Sequence, residues 1–458
     1  MTLIKSISGI RGTIGGFPGQ NFTPVDIVQC SAAFGQWLLE NSGRPKIVIG
    51  RDARVSGHMV FSIVANTLTA LGIDVVDLGL ATTPTVELAV TAEKAGAGII
   101  ITASHNPAQW NALKFLNASG EFISARDGAR LLTLIAANNY LFAPADKLGK
   151  IHPGKNYLDF HVQKILDIPE VNINAIKAAG LRAVIDPVNS VGATAIPALL
   201  DALNVDYTLI NSTMDGQFAH NPEPLEHHLT DLSMAVVNQG ADLGIAVDPD
   251  VDRLALIQEN GRMFGEEYTL VAATDQILRQ KSGPVVSNVS SSMALRDLAE
   301  KYGQLYYPAA VGEVNVVAKM KETNAVIGGE GNGGVIYPEL HYGRDAMVGL
   351  ALILSLLAEQ NMSLSNLRKT YRHYEMIKDK ITLDQGVDLG QIIRVLKKHY
   401  SPDLINEMDG LKIVWPQAWV QVRASNTEPI LRVYAEASTA VEAKKLVDEI
   451  KTLIMTSV

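Results

Sequence analysis

Apolar and polar positions along the chain fall into two regimes. Up to about residue 360, short β-branched apolar runs alternate with stretches whose apolar residues recur at three- and four-residue spacing. Residues 45–50, 74–78 and 98–102 read as buried strands, and residues 58–71 and 124–137 as helices. Ser56 and Gly72 stand where a helix starts and stops. After a mixed segment near 143–157, a second series follows, with strands at 181–186, 207–210, 243–247 and 254–258 and helices at 193–203 and 225–239. A third begins near residue 261, with strands at 284–288, 304–308 and 326–328 and helices at 269–279, 292–302 and 314–323. Residues 346–358 are apolar all round; they are too short to span a bilayer, which takes about 20 residues, and read as a buried helix. Such alternation predicts α/β parts with mixed, mostly parallel sheets. Beyond residue 371 the pattern changes. Strands at 380–383, 411–415, 418–423 and 431–435 neighbour one another, with helices at 389–399 and 439–455, which predicts an α+β domain.

The bulk numbers narrow the classes. A chain of 458 residues corresponds to two to four domains. With 47% apolar residues it can bury large cores, and its net charge of −9 offers no basic excess for nucleic acid. A small phosphorylated ligand needs only a locally basic pocket. The one cysteine, Cys30, rules out an internal disulfide and fits a reducing compartment. The N-terminus lacks the long apolar core of a signal peptide. The expectation is a soluble, cytoplasmic protein with no membrane partner.

Chemistry gathers in the loops that follow strands, where open α/β sheets place their sites. The run at 98–102 ends in Ala103-Ser104-His105-Asn106-Pro107, so Ser104 is presented as a nucleophile or phosphate carrier with His105 beside it. On its own this is also an ordinary polar turn. Asp248-Pro249-Asp250-Val251-Asp252 places three carboxylates at alternate positions after a strand. Their mutual repulsion calls for a hard cation with oxygen ligands, Mg²⁺. An EF-hand reading through Glu259 fails because Arg253 stands where that loop requires glycine. A phosphorylated Asp248, as in haloacid-dehalogenase-type phosphotransferases, is disfavoured by Asp252 in place of Thr or Val. The glycine-rich loop 328–334 lacks the lysine of a P-loop; it offers Glu330 and Asn332 to sugar hydroxyls or an amino group. Arg423-Ala424-Ser425-Asn426-Thr427, with Arg432 beyond, suits an anion cradle. Arg51 and Arg54 follow a strand and are candidates for stabilising charge on a transferred phosphoryl group.

Taken in order, these loops resemble the α-D-phosphohexomutase family. The active-site serine loop matches residues 102–107 with Asn111 and Lys114, the metal loop 248–253, the sugar loop 329–333 and the phosphate loop 423–429. The family's N-terminal Gly-Ile-Arg-Gly is present as Gly9-Ile10-Arg11-Gly12. The resemblance implies domains at 1–153, 154–256, 257–370 and 371–458, arranged around a central cleft. It implies reversible transfer of phosphate between O1 and O6 of a hexose. A phosphoserine at Ser104 and a hexose 1,6-bisphosphate carry the phosphate, and Mg²⁺ is held by Ser104 and Asp248, Asp250 and Asp252. Arg11 and Arg253 join Glu330, Asn332, Arg423, Ser425, Asn426, Thr427 and Arg432 as substrate-binding residues. His105 and Lys114 are candidate proton carriers. Many relatives carry His where Gly334 stands, and His341 is the expected replacement. The Glu330–Gly334 pattern looks closest to phosphoglucosamine-mutase-like members, with phosphoglucomutase or phosphomannomutase activity as the alternative. A non-catalytic phosphosugar-binding protein and a phosphatase are the competing classes. A monomer or a homodimer fits the sequence equally.

Overall fold

The computed structural model describes residues 1–6, 9–43, 45–382, 389–424 and 430–456. The chain divides into two compact units, Met1–Lys281 with Asn332–Leu367, and Ser282–Gly331 with Arg368–Val458.

The first unit holds two sheets. One has seven strands in the order Ile4–Ser6, Gly9–Thr13, Trp110–Leu116, Ala97–Ile101, Lys46–Arg51, Asp74–Leu80, Ile151–Pro153. Its last four strands are parallel and its first three pair antiparallel. The strand Trp110–Leu116 escapes the apolar pattern because Asn111 and Lys114 interrupt it. The second sheet runs Leu254–Gln258, Leu243–Val247, Arg182–Asp186, Asp206–Leu209, antiparallel only at its first pair.

Helix Pro24–Asn41 starts at Thr23, with Asp26 completing a capping box. It buries Ile27, Cys30, Phe34 and Leu38 against the first sheet, where the rings of Phe34 and Phe115 lie 4.5 Å apart. Helix Ala346–Gln360 is apolar on every face because it is buried on every face. Its Leu350, Leu352, Ile353, Leu354 and Leu356 are all fully buried, at about 1.5–3 kcal/mol each. It packs on helix Glu266–Gln280, and the Asp345 carboxylate caps its first turn by accepting from the N–H groups of Met347 and Val348. Among the described residues no single helix is long and apolar enough to cross a membrane.

The second unit carries three parallel strands in the order Tyr306–Ala309, Val285–Asn288, Ile327–Glu330. It also carries an antiparallel sheet in the order Glu375–Thr382, Ile430–Ala437, Ala418–Ala424, Leu411–Trp415, Ile405–Asn406. Helices Leu389–His399 and Ala440–Met455 cover one face of that sheet, against Val420, Val422, Leu431 and Val433. This is the expected α+β arrangement. Successive side chains alternate between faces, so Arg423 and Arg432 project on the face opposite that core.

Candidate active site

The buried strand Ala97–Ile101 delivers the serine loop. Ser104 adopts a left-handed backbone with φ 48°, a conformation that costs about 1–3 kcal/mol in a non-glycine residue. The loop is held against that strain. Thr102 Oγ1 accepts from the Ser104 N–H at 2.9 Å and donates to Asp52 Oδ2 at 2.6 Å. The buried Arg54 guanidinium donates through Nε to Asp52 Oδ2 at 3.0 Å, through Nη1 to the carbonyls of Pro107 and Trp110, and through Nη2 to those of Ser104 and Asn106. Its face is covered by the Phe218 ring at 5.0 Å. The expectation that Arg54 shares phosphoryl charge is corrected here: its five donors are engaged in shaping the serine loop. Arg51, half-buried at the end of its strand, makes no side-chain hydrogen bond to a described residue.

The metal loop follows the equally buried strand Leu243–Val247. Val251 sits at its tip with φ 61°, an outlier for a β-branched residue. The turn is fixed by Val251 N–H on the Asp248 carbonyl and by Ala346 N–H on the Val251 carbonyl. Asp248, Asp250 and Asp252 thereby converge at 0% exposure. One carboxylate oxygen from each lies within 4.8 Å of the others. Ser104 Oγ donates to Asp248 Oδ2 at 2.6 Å, across 144 residues of sequence.

The donor set fits Mg²⁺. Among the described residues, Asp250 Oδ1 and Asp252 Oδ1 are buried and accept no hydrogen bond, which burial alone makes costly. All-oxygen carboxylate ligands are those that hard cations take.

Cations surround the carboxylates. Lys114 Nζ lies 2.7 Å from Asp250 Oδ2 and 3.7 Å from Asp252 Oδ2. Arg344 Nη2 donates to Asp252 Oδ2 at 2.5 Å. Arg253 lies 3.8 Å from both Asp252 and Glu223. Burial pushes the Asp248 carboxyl well above its usual range, reinforced by Asp252 and Asp250. Burial acts the same way on Asp250, but the charge and hydrogen bond of Lys114 outweigh it and hold that carboxyl below its usual range. Burial disfavours the Lys114 ammonium, and the neighbouring aspartates more than restore it. Burial, then Arg253 and Arg344, hold His105 well below the ordinary histidine range; its Nδ1 is 3.4 Å from Ser104 Oγ. Arg11 is depressed by burial and by Arg253, a pair of like charges beside the loop.

His341 lies elsewhere than expected. Its Nδ1 is 2.9 Å from Glu87 Oε2, and its Nε2 is 3.3 Å from Asp345 Oδ2. The same Asp345 oxygen binds His161 Nε2 at 2.8 Å, and His161 Nδ1 meets Thr85 Oγ1 at 3.0 Å. Both ring nitrogens of His341 are thus engaged by carboxylates and are not offered to a reacting group. Burial disfavours its charge, but Asp345 and Glu87 overcome this and raise its pKa to about 10. A pKa raised in the folded state contributes stability that is complete below the unfolded value, about 6.5. That contribution is lost as pH rises through about 10. His341→Gln is therefore expected to lose about 3 kcal/mol or more near neutrality, as a broken buried ion pair does. The deficit should shrink between neutrality and alkaline pH in urea unfolding curves, and a deficit independent of pH would contradict the assignment.

In the second unit, Glu330 ends its strand buried, with Oε1 accepting from Asn288 Nδ2 at 2.9 Å and from the Gly312 N–H at 3.2 Å. In the first unit, Asn332 Oδ1 accepts from the Gly334 N–H at 3.2 Å, which folds its own loop. Arg423 lies 3.6 Å from Asp409, and its buried Nε has no hydrogen-bond partner among the described residues. Sheet register places Arg423 directly opposite Arg432, and Arg432 directly opposite Lys380. Like charges facing one another across a sheet are unfavourable without an anion. Ser425, Asn426 and Thr427 lie outside the described residues.

Five contributors are not evident from sequence, the first being Arg344, which donates to Asp252. Asp52 anchors Thr102 and Arg54. Thr83 Oγ1 donates to Asp250 Oδ2 at 2.7 Å. Ser190 Oγ donates to the Pro249 carbonyl and accepts from the Ala53 N–H, tying the arginine loop to the metal loop. Lys380 joins the arginine pair only through sheet register. Of these, Asp52 carried the one sequence signal, its place between two candidate arginines.

Comparison with known proteins identifies the family. Family models described as phosphoglucomutase/phosphomannomutase α/β/α domains I, II and III match residues 3–141, 155–261 and 265–374, and the model of the C-terminal domain matches 381–453. The phosphoglucomutase/phosphomannomutase of Thermococcus kodakarensis is 33% identical over 95% of this chain and 96% of its own length. The phosphoglucosamine/phosphogalactosamine mutase of Sulfurisphaera tokodaii is 33% identical over 97% and 98%. A phosphoglucomutase/phosphomannomutase family protein of Burkholderia thailandensis shares the fold with a TM-score of 0.85 at 24% identity, over 99% of this chain and 97% of that one. The N-acetylphosphoglucosamine mutase of Aspergillus fumigatus, solved with GlcNAc-6P and magnesium, has a TM-score of 0.54 at 17% identity, over 82% and 92%. With its four domain models matched in order and full-length relatives at a third identity, the chain belongs to the α-D-phosphohexomutase family of intramolecular phosphotransferases.

Proposed function

We propose that this protein interconverts hexose 6-phosphates and hexose 1-phosphates, with glucosamine phosphate as the preferred substrate. The observation that carries the reading is Ser104 Oγ donating to Asp248 at 2.6 Å within a buried carboxylate triad ringed by Lys114, Arg253 and Arg344. Mere binding of a phosphosugar needs no such serine.

In the reaction proposed, Ser104 carries a phosphoryl group on Oγ. A substrate hydroxyl oxygen, O1 or O6, bonds to phosphorus while the bond to Ser104 Oγ breaks, giving the 1,6-bisphosphate. The hydroxyl proton passes to His105, whose Nδ1, 3.4 Å from Oγ, hands it on to the departing serine oxygen. After the sugar reverses, Oγ bonds to the other phosphorus as that phosphorus–sugar oxygen bond breaks, and the serine proton returns through His105 to the sugar oxygen. Asp248, Asp250 and Asp252, with the Ser104 phosphate, would hold Mg²⁺, which when bound neutralises the phosphate oxygens. Catalysis of this kind rests on positioning and charge stabilisation. Lys114 and Arg344 hold Asp250 and Asp252. The like-charged Arg11 and Arg253 are assigned to phosphate binding.

Within the second unit, Glu330 is the residue assigned to the sugar, its carboxylate oriented by Asn288 and Gly312. A carboxylate there favours a 2-ammonium group over a hydroxyl. Arg423, Arg432 and Lys380 are assigned to a phosphate. The relative from Sulfurisphaera tokodaii, named for amino sugars, supports the substrate choice; the one from Thermococcus kodakarensis supports glucose and mannose phosphates as the second reading.

Turnover of glucosamine, glucose and mannose phosphates under one Mg²⁺ concentration tests the choice. Faster turnover of glucosamine phosphate is expected, and equal or better rates on glucose or mannose would overturn it. Phosphopeptide mapping should find an acid-stable phosphate on Ser104. A hydroxylamine-labile phosphate on Asp248 would replace the serine mechanism by an aspartyl one.

A further inference from the structure

Gly334 has no side chain, and a neighbouring residue fills the space beside it. Strand Gly334–Ile336 is bridged antiparallel between Ile336 and Arg344, and Asp345 N–H donates to the Val335 carbonyl at 2.8 Å. Residues opposite and diagonal in such a pair share a face, so Arg344 leans across Gly334. A Cβ added at Gly334 would lie 2.4 Å from Arg344 Cδ and 3.0 Å from its Cγ. The space that any side chain at 334 would need is therefore filled by the aliphatic stem of Arg344. Beyond that stem the guanidinium reaches Asp252 Oδ2, and Arg344 is 8% exposed.

We infer that Gly334 and Arg344 form one device, in which the bare backbone at 334 lets Arg344 serve as a positioning residue for the metal loop, fixing Asp252 and its charge beside Ser104. The inference deepens the phosphotransfer reading of this centre and rests on it. It gives the bare backbone at 334 a role although that backbone is not left-handed.

A double-mutant cycle on the full-length protein tests this, using Gly334→Ala, Arg344→Ala and the pair together. Gly334→Ala should lower kcat/KM at least tenfold by displacing the Arg344 stem, and less than twofold further when Arg344 is already alanine. Guanidinium ion at millimolar concentration should restore part of the kcat of Arg344→Ala and as much of that of the double variant, because the free ion has no stem for an alanine at 334 to displace. A second readout needs no turnover. Each single variant should shift the Mn²⁺ affinity of metal-free protein at least threefold in calorimetry, and the double variant should match Arg344→Ala. Additive effects, or a Gly334→Ala variant equal to wild type in both measurements, would overturn the inference. Should the wild type prove inactive as a mutase, the Mn²⁺ cycle still decides it. Circular dichroism melts separate these outcomes from unfolding, and Arg344→Ser, which also removes the stem beyond Cβ, replaces Arg344→Ala where that variant fails to fold.

Discussion

Ser104→Ala is expected to lower hexose-phosphate interconversion by at least about a thousandfold, the order of loss when a covalent nucleophile is removed. The side chain to be deleted is one hydroxyl hydrogen-bonded to Asp248 at 2.6 Å. Its removal leaves the strained turn intact, because Thr102, Asp52 and Arg54 hold the loop through backbone groups. Stability should therefore fall by only about 1–3 kcal/mol, the cost of leaving the buried Asp248 oxygen without its donor. The loss should persist when hexose 1,6-bisphosphate is supplied, since a bisphosphate cannot phosphorylate alanine. Retention of more than a tenth of wild-type turnover would move the phosphate carrier elsewhere, with Asp248 the first alternative.

The second large effect is structural. Arg54→Leu removes a buried cation together with the donors to the carbonyls of Ser104, Asn106, Pro107 and Trp110. It also deprives the buried Asp52 of its ion pair at 3.0 Å. Breaking such a pair costs about 3–5 kcal/mol, and the serine loop loses its frame. Both the unfolding midpoint and turnover should fall. Arg54→Lys should recover little of either, because an ammonium on a flexible stem cannot reproduce the planar fork that serves five acceptors. An Arg54→Leu protein of normal stability and low activity would instead restore the original idea that Arg54 acts on the phosphoryl group. The two variants thus separate chemistry from scaffolding within one loop.

The difference between these residues shows what the sequence could carry. Ser104 and Asp248, Asp250 and Asp252 are legible because each belongs to a contiguous motif directly after an apolar strand, and local spacing fixes their presentation. Most strands and helices are legible for the same reason, their periodicity being local. Arg54 is visible as a residue but not in its role, since that depends on carbonyls fifty or more positions downstream. Thr83 and Ser190 sit among ordinary helix-capping and turn residues, and only tertiary packing brings them to Asp250 and Pro249. The strand Trp110–Leu116 was obscured by function itself: Lys114 breaks its apolar pattern because it faces Asp250. His341 was misplaced for a related reason. Sequence can show that a histidine is near a motif, but not that two buried carboxylates claim both of its nitrogens.

The segment Asn332–Leu367 belongs to the first unit although the intervening residues Ser282–Gly331 belong to the second. During synthesis the ribosome therefore releases Ser104 and the aspartate loop long before the segment that completes their surroundings. A nascent chain ending at residue 331 lacks Arg344 for Asp252, the Ala346 N–H for the strained Val251, and the helix, buried from Ala346 to Leu357, that packs on Glu266–Gln280. The apolar face of Glu266–Gln280 and the triad of buried carboxylates stay open until that helix emerges. Folding of the first unit is thus tied to late translation, and pulse-labelled nascent chains should gain protease resistance in one step after residue 367 clears the exit tunnel rather than progressively along the first 281 residues.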